Sequence, residues 1–206
     1  LIGSFANLQA SGSALSVGLD LNVPLVRQPE HNLALQLTTD HKQLRNLSLP
    51  SAVVSEAAVV SRYQLDVLRL GASGNWLDSL WDAAHNSSSA QISWGRVNLN
   101  DSPNANADAM AANTGGSFYK LTANYNREQS LMVGVSWYLQ ANAQWAHRNL
   151  DSSEKIYLGG ANGVRAYPSN EVGGSAGASA STGRSTRRRA ARRPRLPRRL
   201  SRAAAR

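Results

Sequence analysis

Residues 131–145 read LMVGVSWYLQANAQW, and two kinds of side chain alternate along this stretch. The even positions are mostly small or polar. The odd positions are apolar: Leu131, Val133, Val135, Trp137, Leu139, Ala141, Ala143 and Trp145. A period of two held over this length predicts a long β-strand with one apolar face and not an amphipathic helix, whose period is 3.6.

Five other segments carry the same alternation, which predicts six strands in an all-β fold. The segments are Ser13–Leu25, Asn32–Thr39, Ser117–Tyr125 and, less regularly, Val59–Gly71 and Ser89–Leu99. In the fourth of these, Tyr63, Leu65 and Val67 form the predicted apolar face. Residues 72–88 contain spaced tryptophans and leucines, which fit an amphipathic helical segment and a strand extension equally well.

The lengths of these segments and of their connections favour a membrane barrel. Several segments reach the ~9–11 residues that a tilted strand needs to cross a bilayer, whereas soluble strands centre on ~5–6. The connections tend to alternate, with short ones at 26–30 and 127–130 and long ones at 47–58, 100–116 and after 148. We therefore predict an antiparallel transmembrane β-barrel, here a partial, incomplete barrel, with a soluble β-sandwich as the main alternative.

The charge is divided sharply along the chain. The net charge of +9 comes from 22 basic and 13 acidic residues, and 11 of the basic residues lie within residues 184–206. The rest of the chain is close to neutral. With no cysteine in the sequence, disulfides and thiolate metal sites are excluded. Residues 178–206 are predicted to form a disordered tail rich in arginine, alanine, proline and serine, because prolines and adjacent arginines do not suit a membrane strand.

No catalytic constellation is predicted. The four histidines are too far apart in sequence for a zinc motif, and they are His31, His41, His85 and His147. Asp20, Asp40 and Asp66 lie on predicted strands, where we expect them to face a water-filled lumen. We therefore expect no enzyme activity, no metal site and no cofactor.

Residues 158–177, LGGANGVRAYPSNEVGGSAG, place one arginine among six glycines. Glycines alone would indicate a flexible turn. Arg165, however, stands between Val164 and the Tyr167-Pro168 pair, residues that stiffen the backbone. A charge held in this way usually has a partner. We predict a loop motif with Arg165, Val164 and Tyr167 at its tip, and a hinge formed by the preceding glycines Gly159, Gly160 and Gly163.

Residues 117–177 closely resemble the region around the sixth extracellular loop of two-partner secretion transporters, the haemolysin secretion/activation family of POTRA-associated outer-membrane barrels. The markers are R-x-Q-x-L at 127–131, NLDSSEK at 149–155, the Leu158-Gly159-Gly160 turn, and VRAYP at 164–168, which is similar to the V-R-G-Y signature of the wider superfamily. Ala166 replaces the glycine of that signature. Residues 1–116 are similar to preceding barrel strands by pattern.

The resemblance implies a fold and a transport activity. Family members are sixteen-stranded barrels with two periplasmic POTRA domains, and they export a large haemolysin or adhesin exoprotein without ATP. It implies that the loop, residues 148–177, folds into the lumen, where the arginine matching Arg165 contacts an aspartate of an F-x-D-x-G motif on a later strand. The implied partners are an unfolded exoprotein and outer-membrane lipid, with no nucleic acid.

The F-x-D-x-G motif does not occur in this sequence. We expect residues 1–177 to be barrel and residues 178–206 to be the product of a frameshift in a truncated gene. Resequencing that gene and finding the same frame would contradict the frameshift hypothesis. Two alternatives remain: a basic-tailed protein that binds nucleic acid or an anionic surface, and an unrelated porin-like barrel.

Overall fold

A computed structural model of the 206-residue chain describes residues 11–48, 58–80, 83–158 and 173–186. One antiparallel sheet of seven strands dominates it, in the order β1-β2-β3-β4-β5-β6-β9. Its strands are β1 Ser11–Arg27, β2 His31–Ser48, β3 Ala58–Asp78, β4 Ala84–Asn98, β5 Gly116–Met132, β6 Val135–Ala146 and β9 Gly177–Thr186. The sheet is open, which confirms the prediction of an antiparallel all-β fold and a partial barrel.

In the described parts of the chain, four short elements lie between these strands. Helix α1, Ala105–Met110, lies between β4 and β5. Strands β7, Ile156–Tyr157, and β8, Gly173–Gly174, form a separate two-stranded sheet, preceded by a 3-10 turn at Ser152–Glu154. Among the described residues, no helix is both long and apolar enough to cross a membrane.

The two ends of the strands carry connections of different length, and we call these ends of the sheet the turn edge and the loop edge. Residues 28–30, 79–83 and 133–134 make short turns at one edge, the turn edge. Residues 49–57, 99–115 and 147–176 make long connections at the opposite loop edge. In the tightest turn, Gly134 has a positive φ of 79°, which only glycine adopts without strain. The alternation of short and long connections therefore extends along the whole sheet.

The register gives each face of the sheet its character. Directly paired residues share a face, and one face, the outer face, carries exposed apolar side chains in successive rows. One such row is Leu21, Leu37, Leu70, Ile92, Leu121 and Trp145. Trp137, near the turn edge, shares this face, whereas Tyr138 faces the other way. The two tryptophans are about 26 Å apart along the strand, which a tilt of about 40° reduces to about 20 Å across the membrane, within the ~25 Å apolar band of membrane barrels.

The opposite, inner face is mostly polar but carries a small apolar core near the loop edge. Its buried members are Tyr63, Leu65, Val67, Val97, Phe118 and Leu150. Phe118 lies directly across from Gly95 on β4, and a Cβ there would come within 2.4 Å of the phenyl ring. Glycine at 95 therefore leaves the space that the ring fills.

This core corrects two face assignments. Tyr63, Leu65 and Val67 were predicted to face lipid with the other apolar residues, but they lie on the inner face beneath Leu150. Asp66, on the same strand, was predicted to face the lumen and instead lies on the outer face. A segment that covers part of the inner face makes that face apolar locally, so alternation alone assigns the wrong side.

The structure moves one predicted strand boundary and decides between the two alternatives left open for a second region. Residues 131–134 are not the start of a strand, because β5 continues to Met132 and the turn is at Val133-Gly134. The predicted turn at 127–130 is therefore part of β5. Between residues 72 and 88, the described parts extend two strands and form no helix: β3 runs to Asp78 and β4 starts at Ala84.

Residues 178–186, assigned from sequence to the disordered tail, lie in β9, which pairs with β6 along Gly177–Thr186. This part of the chain is small and neutral apart from Arg184, so it can add to the sheet edge. The arginine-rich residues 187–206 lie outside the described residues.

Candidate functional site

Four charged side chains meet on the inner face and hold the end of a long connection. Glu154, in the 3-10 turn after β6, has a side chain only 3% exposed. Its carboxylate accepts from Lys120 Nζ at 2.7 Å and from Arg69 Nη2 at 2.9 Å. Lys42 Nζ approaches it at 3.1 Å. We name Glu154, Lys42, Arg69 and Lys120 the Glu154 cluster, in which cations from β2, β3 and β5 converge on one carboxylate.

Strand β4 makes space for this carboxylate. Arg69, Ser93 and Lys120 occupy one row of the register, with Ser93 between the two cations. Ser93 is fully buried, and its small side chain separates the two long ones. Arg69 also forms an ion pair with Asp40 on β2, so a second carboxylate offsets part of the positive charge around Glu154. The cluster is therefore assembled by four adjacent strands of the sheet.

The surroundings keep Glu154 ionised. Burial raises the pKa of its carboxyl, because a charge is less stable away from water. The hydrogen bond and charge of Lys120 act in the opposite direction, and the charges of Lys42 and Arg69 add to them. Together these cations hold the pKa of Glu154 below its ordinary value. The ion pairs are therefore present at neutral pH.

Leu150 and Asp151 anchor the same segment a few residues earlier. Leu150 is fully buried in the inner-face core. Asp151 accepts a hydrogen bond from the Tyr63 hydroxyl at 2.8 Å, and it also accepts from Ser153 N at 2.9 Å. We call residues 149–155 the loop root, because apolar burial and charge pairing fix this segment to the wall at neighbouring points.

The loop root leads into a paired stem. Strands β7 and β8 bring Ile156 opposite Gly174 and Tyr157 opposite Gly173. On the returning side, Ser175 Oγ accepts from the Leu150 backbone N–H at 2.9 Å. Gln144 of β6 donates to the carbonyl oxygens of both Glu154 and Ser175 at 3.2 Å. Both ends of residues 158–172 are therefore held against the inner face.

The site residues predicted from sequence lie beyond this stem. All six are outside the described residues: Gly159, Gly160, Gly163, Val164, Arg165 and Tyr167. Their predicted roles as tip and hinge stay predictions. Sequence reasoning noticed Glu154 only within the NLDSSEK run and missed its three basic partners. A lysine or arginine inside a strand was the available signal, and Arg69 interrupts an otherwise apolar run.

Comparison with known proteins places this geometry in a family. Residues 1–182 match the haemolysin secretion/activation protein ShlB/FhaC/HecB family. The chain belongs to this family. Its members are transporters of the bacterial outer membrane and not enzymes, so the family match favours the transporter over the nucleic-acid-binding and porin alternatives.

Individual relatives agree with the family match. The chain is similar to two heme/hemopexin transporter proteins HuxB of Haemophilus influenzae, one of them from strain 86-028NP. It is 24–25% identical to them over 166 and 167 residues, which is 80% of this chain and 28% of each relative. Among solved structures, CdiB from Escherichia coli matches with a TM-score of 0.67 and 18% identity, over 85% of this chain and 31% of CdiB. The chain spans less than a third of the length of these proteins.

A second charged cluster contains the R-x-Q marker of the resemblance to this family. At the turn edge, on the outer face, Arg127 donates to Asp78 at 2.8 and 3.1 Å and to Asn86 at 2.9 Å. Gln129 accepts from Arg127 at 2.5 Å. We call Asp78, Asn86, Arg127 and Gln129 the turn-edge cluster, which joins β3, β4 and β5 where the β3–β4 turn closes.

Within the described ranges, no three side chains of the metal-binding types come together. Each histidine is separate, and two have identifiable neighbours: His41 bonds Asp66 at 2.6 Å, and His147 stacks on Tyr119 with ring centroids 3.9 Å apart. In a transporter of this family, the charged and polar side chains of the inner face anchor a loop and form a polar inner wall.

Proposed function

We propose that this chain supplies part of the barrel wall and the lumen loop of a transporter that exports a large haemolysin- or adhesin-type exoprotein in an unfolded state. The anchoring of the loop root by the Glu154 cluster carries this proposal. The cluster fixes the entering end of residues 158–172 on the inner face, the hydrogen bonds that join Ser175 to Leu150 and Gln144 fix the returning end, and the residues between carry Arg165. A loop held in this way lies in the path of any polypeptide that passes along the inner wall.

The inner face suits an unfolded cargo. Away from the small core it presents serine, asparagine, glutamine and threonine side chains in consecutive rows, among them Gln36, Gln91, Thr122, Asn124 and Asn142. Such side chains exchange hydrogen bonds with a passing backbone without selecting its sequence. The cargo therefore needs no pocket of fixed shape. Outer-membrane lipid contacts the opposite, apolar face.

Within this proposal, the anchor and the tip have separate roles. The Glu154 cluster holds the loop root in place, so movement is confined to residues beyond the stem. Arg165 acts at the tip by pairing with an acid on the barrel wall, as the resemblance implies, and the glycines at 159, 160 and 163 act as the hinge. Loss of the anchor then displaces the whole loop, whereas loss of Arg165 releases only the tip.

The test is export by the full-length transporter that contains this region. The cargo is identified by mass spectrometry as the protein that is absent from the culture medium when the transporter gene is deleted and present again when the wild-type gene is restored. We expect Glu154→Gln and Arg165→Ala each to reduce this export at least about tenfold at equal transporter levels. Glu128→Gln removes an exposed acid from the same face and is the matched control.

A second readout follows the loop without the cargo. In planar lipid bilayers, we expect Glu154→Gln to raise the single-channel conductance, because a displaced loop no longer blocks the lumen. If the variant exports normally and conducts like the wild type, the loop root has no role in transport and the proposal is wrong. If no exoprotein depends on the transporter gene, the export function itself is wrong.

A further inference from the structure

The outer face changes character as it approaches the loop edge. The last mainly apolar row contains Leu19, Thr39, Leu68, Trp94 and Tyr119. The next row outward contains His41, Asp66 and Arg96, and the row after it Gln43, Gln64 and Asn98. The third contains Arg45 and Arg62. On β2, β3 and β4, polar and basic side chains therefore border the apolar band on the side of the long connections, whereas β1 keeps the apolar residues Val17 and Leu15 in these rows.

Arg45 and Arg62 stand directly opposite each other across β2 and β3. Residues in this position have Cβ atoms about 5 Å apart, and two like charges there destabilise the strand pair. Both side chains are exposed. Within the described ranges, neither guanidinium has an ion pair or a hydrogen bond to another side chain. The sheet thus holds an uncompensated arginine pair at its rim, which we call the rim pair.

A groove surrounds the rim pair on the outer face. Its lining includes Gln43 and Gln64, whose amides can donate hydrogen bonds, and Asp101 from the β4–β5 connection. In the part of the chain that the structure describes, Asp101 makes no ion pair with either arginine. Two guanidinium groups and two amides facing one groove provide donors for an anion with several oxygens.

The location of the groove decides which anion fits. It lies on the face that contacts lipid tails, three rows beyond the aromatic residues that mark the end of the apolar band. A lipid whose tails lie on Leu68 and Leu70 has its headgroup at this height. In outer-membrane barrels the long connections are extracellular, so the leaflet in question is the outer one. Basic residues next to a membrane surface attract anionic headgroups.

We propose that the rim pair, supported by Gln43 and Gln64, binds the phosphate groups of a phosphorylated lipid in the outer leaflet. The bound phosphate relieves the repulsion between Arg45 and Arg62, and the tails pack on the apolar band below. This proposal goes beyond export and does not depend on it. It depends on the outer-membrane location of the family.

The turn edge offers an internal contrast. There Arg127 is fully engaged by Asp78 and its neighbours, so it has no capacity left for a ligand. Arg184 is exposed on the outer face near the same edge, but it stands opposite Trp137 and has no second arginine across from it. Arg184→Gln is therefore the matched control for a single exposed charge on the same face.

The experiment uses the full-length transporter in detergent and lipid A, a phosphorylated glycolipid, as the probe. Binding is measured by native mass spectrometry for the wild type, the Arg45→Gln/Arg62→Gln double variant and Arg184→Gln. We expect the double variant to bind lipid A at least about tenfold more weakly and the control to bind normally. Removal of the phosphates from lipid A is expected to weaken wild-type binding to the same extent.

Thermal unfolding supplies a second measurement, whose expected result a misfolded double variant would not give. Without anionic lipid, we expect the double variant to unfold at a higher temperature than the wild type, because it lacks the like-charge pair. With lipid A, we expect the order to reverse. Equal lipid A binding by the double variant and the wild type would overturn the proposal. So would displacement of lipid A by millimolar inorganic phosphate, since the site would then hold a free anion.

Discussion

The Glu154 cluster and the turn-edge cluster use the same chemistry for different purposes. Both surround a partly or fully buried charge with partners from three or four adjacent strands, and both contain a residue of the motifs that carry the resemblance. In the turn-edge cluster, Arg127 and Asp78 are 49 residues apart and lie on neighbouring parts of a continuous ladder. In the other, Glu154 reaches back 112 residues to Lys42 and belongs to no strand of the large sheet.

The turn-edge cluster therefore contributes to the stability of the sheet, whereas the Glu154 cluster sets the position of the loop root. Breaking the turn-edge cluster weakens a corner of the sheet that backbone hydrogen bonds also hold. Breaking the Glu154 cluster leaves the sheet intact and loosens the loop root, which then depends on the burial of Leu150, on the Asp151 hydrogen bonds and on the bonds of Gln144 and Ser175. Variants in the two clusters should therefore differ in kind as well as in size, and the following predictions test that expectation in order of decreasing effect.

We expect the largest effect from Glu154→Gln. The substitution keeps the size of the side chain but leaves buried Lys120 and half-buried Arg69 facing a neutral amide, which costs about 3–5 kcal/mol for a broken buried pair. The loop root should detach while the sheet persists. Hydrogen exchange by mass spectrometry should show strong loss of protection at residues 149–157 and little change in β3 to β5. Unchanged protection at the loop root would show that the cluster is dispensable.

Arg127→Gln should have a smaller effect, in a different place. It removes the fork that joins Asp78, Asn86 and Gln129, so the turn edge loosens and the unfolding temperature falls. Protection at residues 149–157 should stay at the wild-type level. The gel mobility of heated and unheated samples measures the unfolding temperature. If Arg127→Gln also released the loop root, the separation between the two clusters would fail.

Tyr63→Phe should loosen the loop root slightly. It removes one hydrogen bond to the Asp151 carboxylate, worth about 1.5 kcal/mol, and leaves the bond from Ser153 to the same carboxylate. We expect severalfold faster exchange at residues 152–154. Tyr138→Phe, on the same face but far from the loop root, is the control and should change nothing there.

Acid should release the loop root, and mild acid should not. A carboxyl with a lowered pKa stabilises the folded state above the pKa of the unfolded chain, and that stability is lost as the pH falls through the folded value. For Glu154, the ordinary value is 4.5 and the folded value lies below it. Exchange at residues 149–157, corrected for intrinsic rates, should stay constant from pH 7 to 5 and rise only below about pH 4.5. A rise between pH 7 and 5 would mean that another group controls the loop root.

The strands were predictable because alternation is a local property. Residues 135–145 show it clearly, and β6 and its neighbours form accordingly. The boundary at Val133-Gly134 was missed because Leu131 and Val133 continue the apolar positions through the turn. The side faced by Tyr63, Leu65 and Val67 was missed because it depends on Leu150, about 85 residues away in the sequence.

The site was less predictable for the same reason. Glu154 was noticed within a motif, but nothing in the neighbourhood of Lys42 or Arg69 indicates a shared acid. Their meeting depends on the register of four strands, which sequence periodicity does not specify. The turn-edge cluster was more nearly predictable, since R-x-Q was recognised as a marker. Asp78, the partner of Arg127, lies however in a region for which helix and strand were equally open.

The pairing of β7 with β8 also sets a tether length. Fifteen residues separate Tyr157 from Gly173, and Arg165 is the eighth of them, at equal distance from both ends. With about 3.3 Å of chain per residue, the middle residue of a loop closed by the β7–β8 pair lies at most about 27 Å from that pair. Arg165 thus has the longest reach that the loop allows, and shortening either arm would reduce that reach even if every charge were kept.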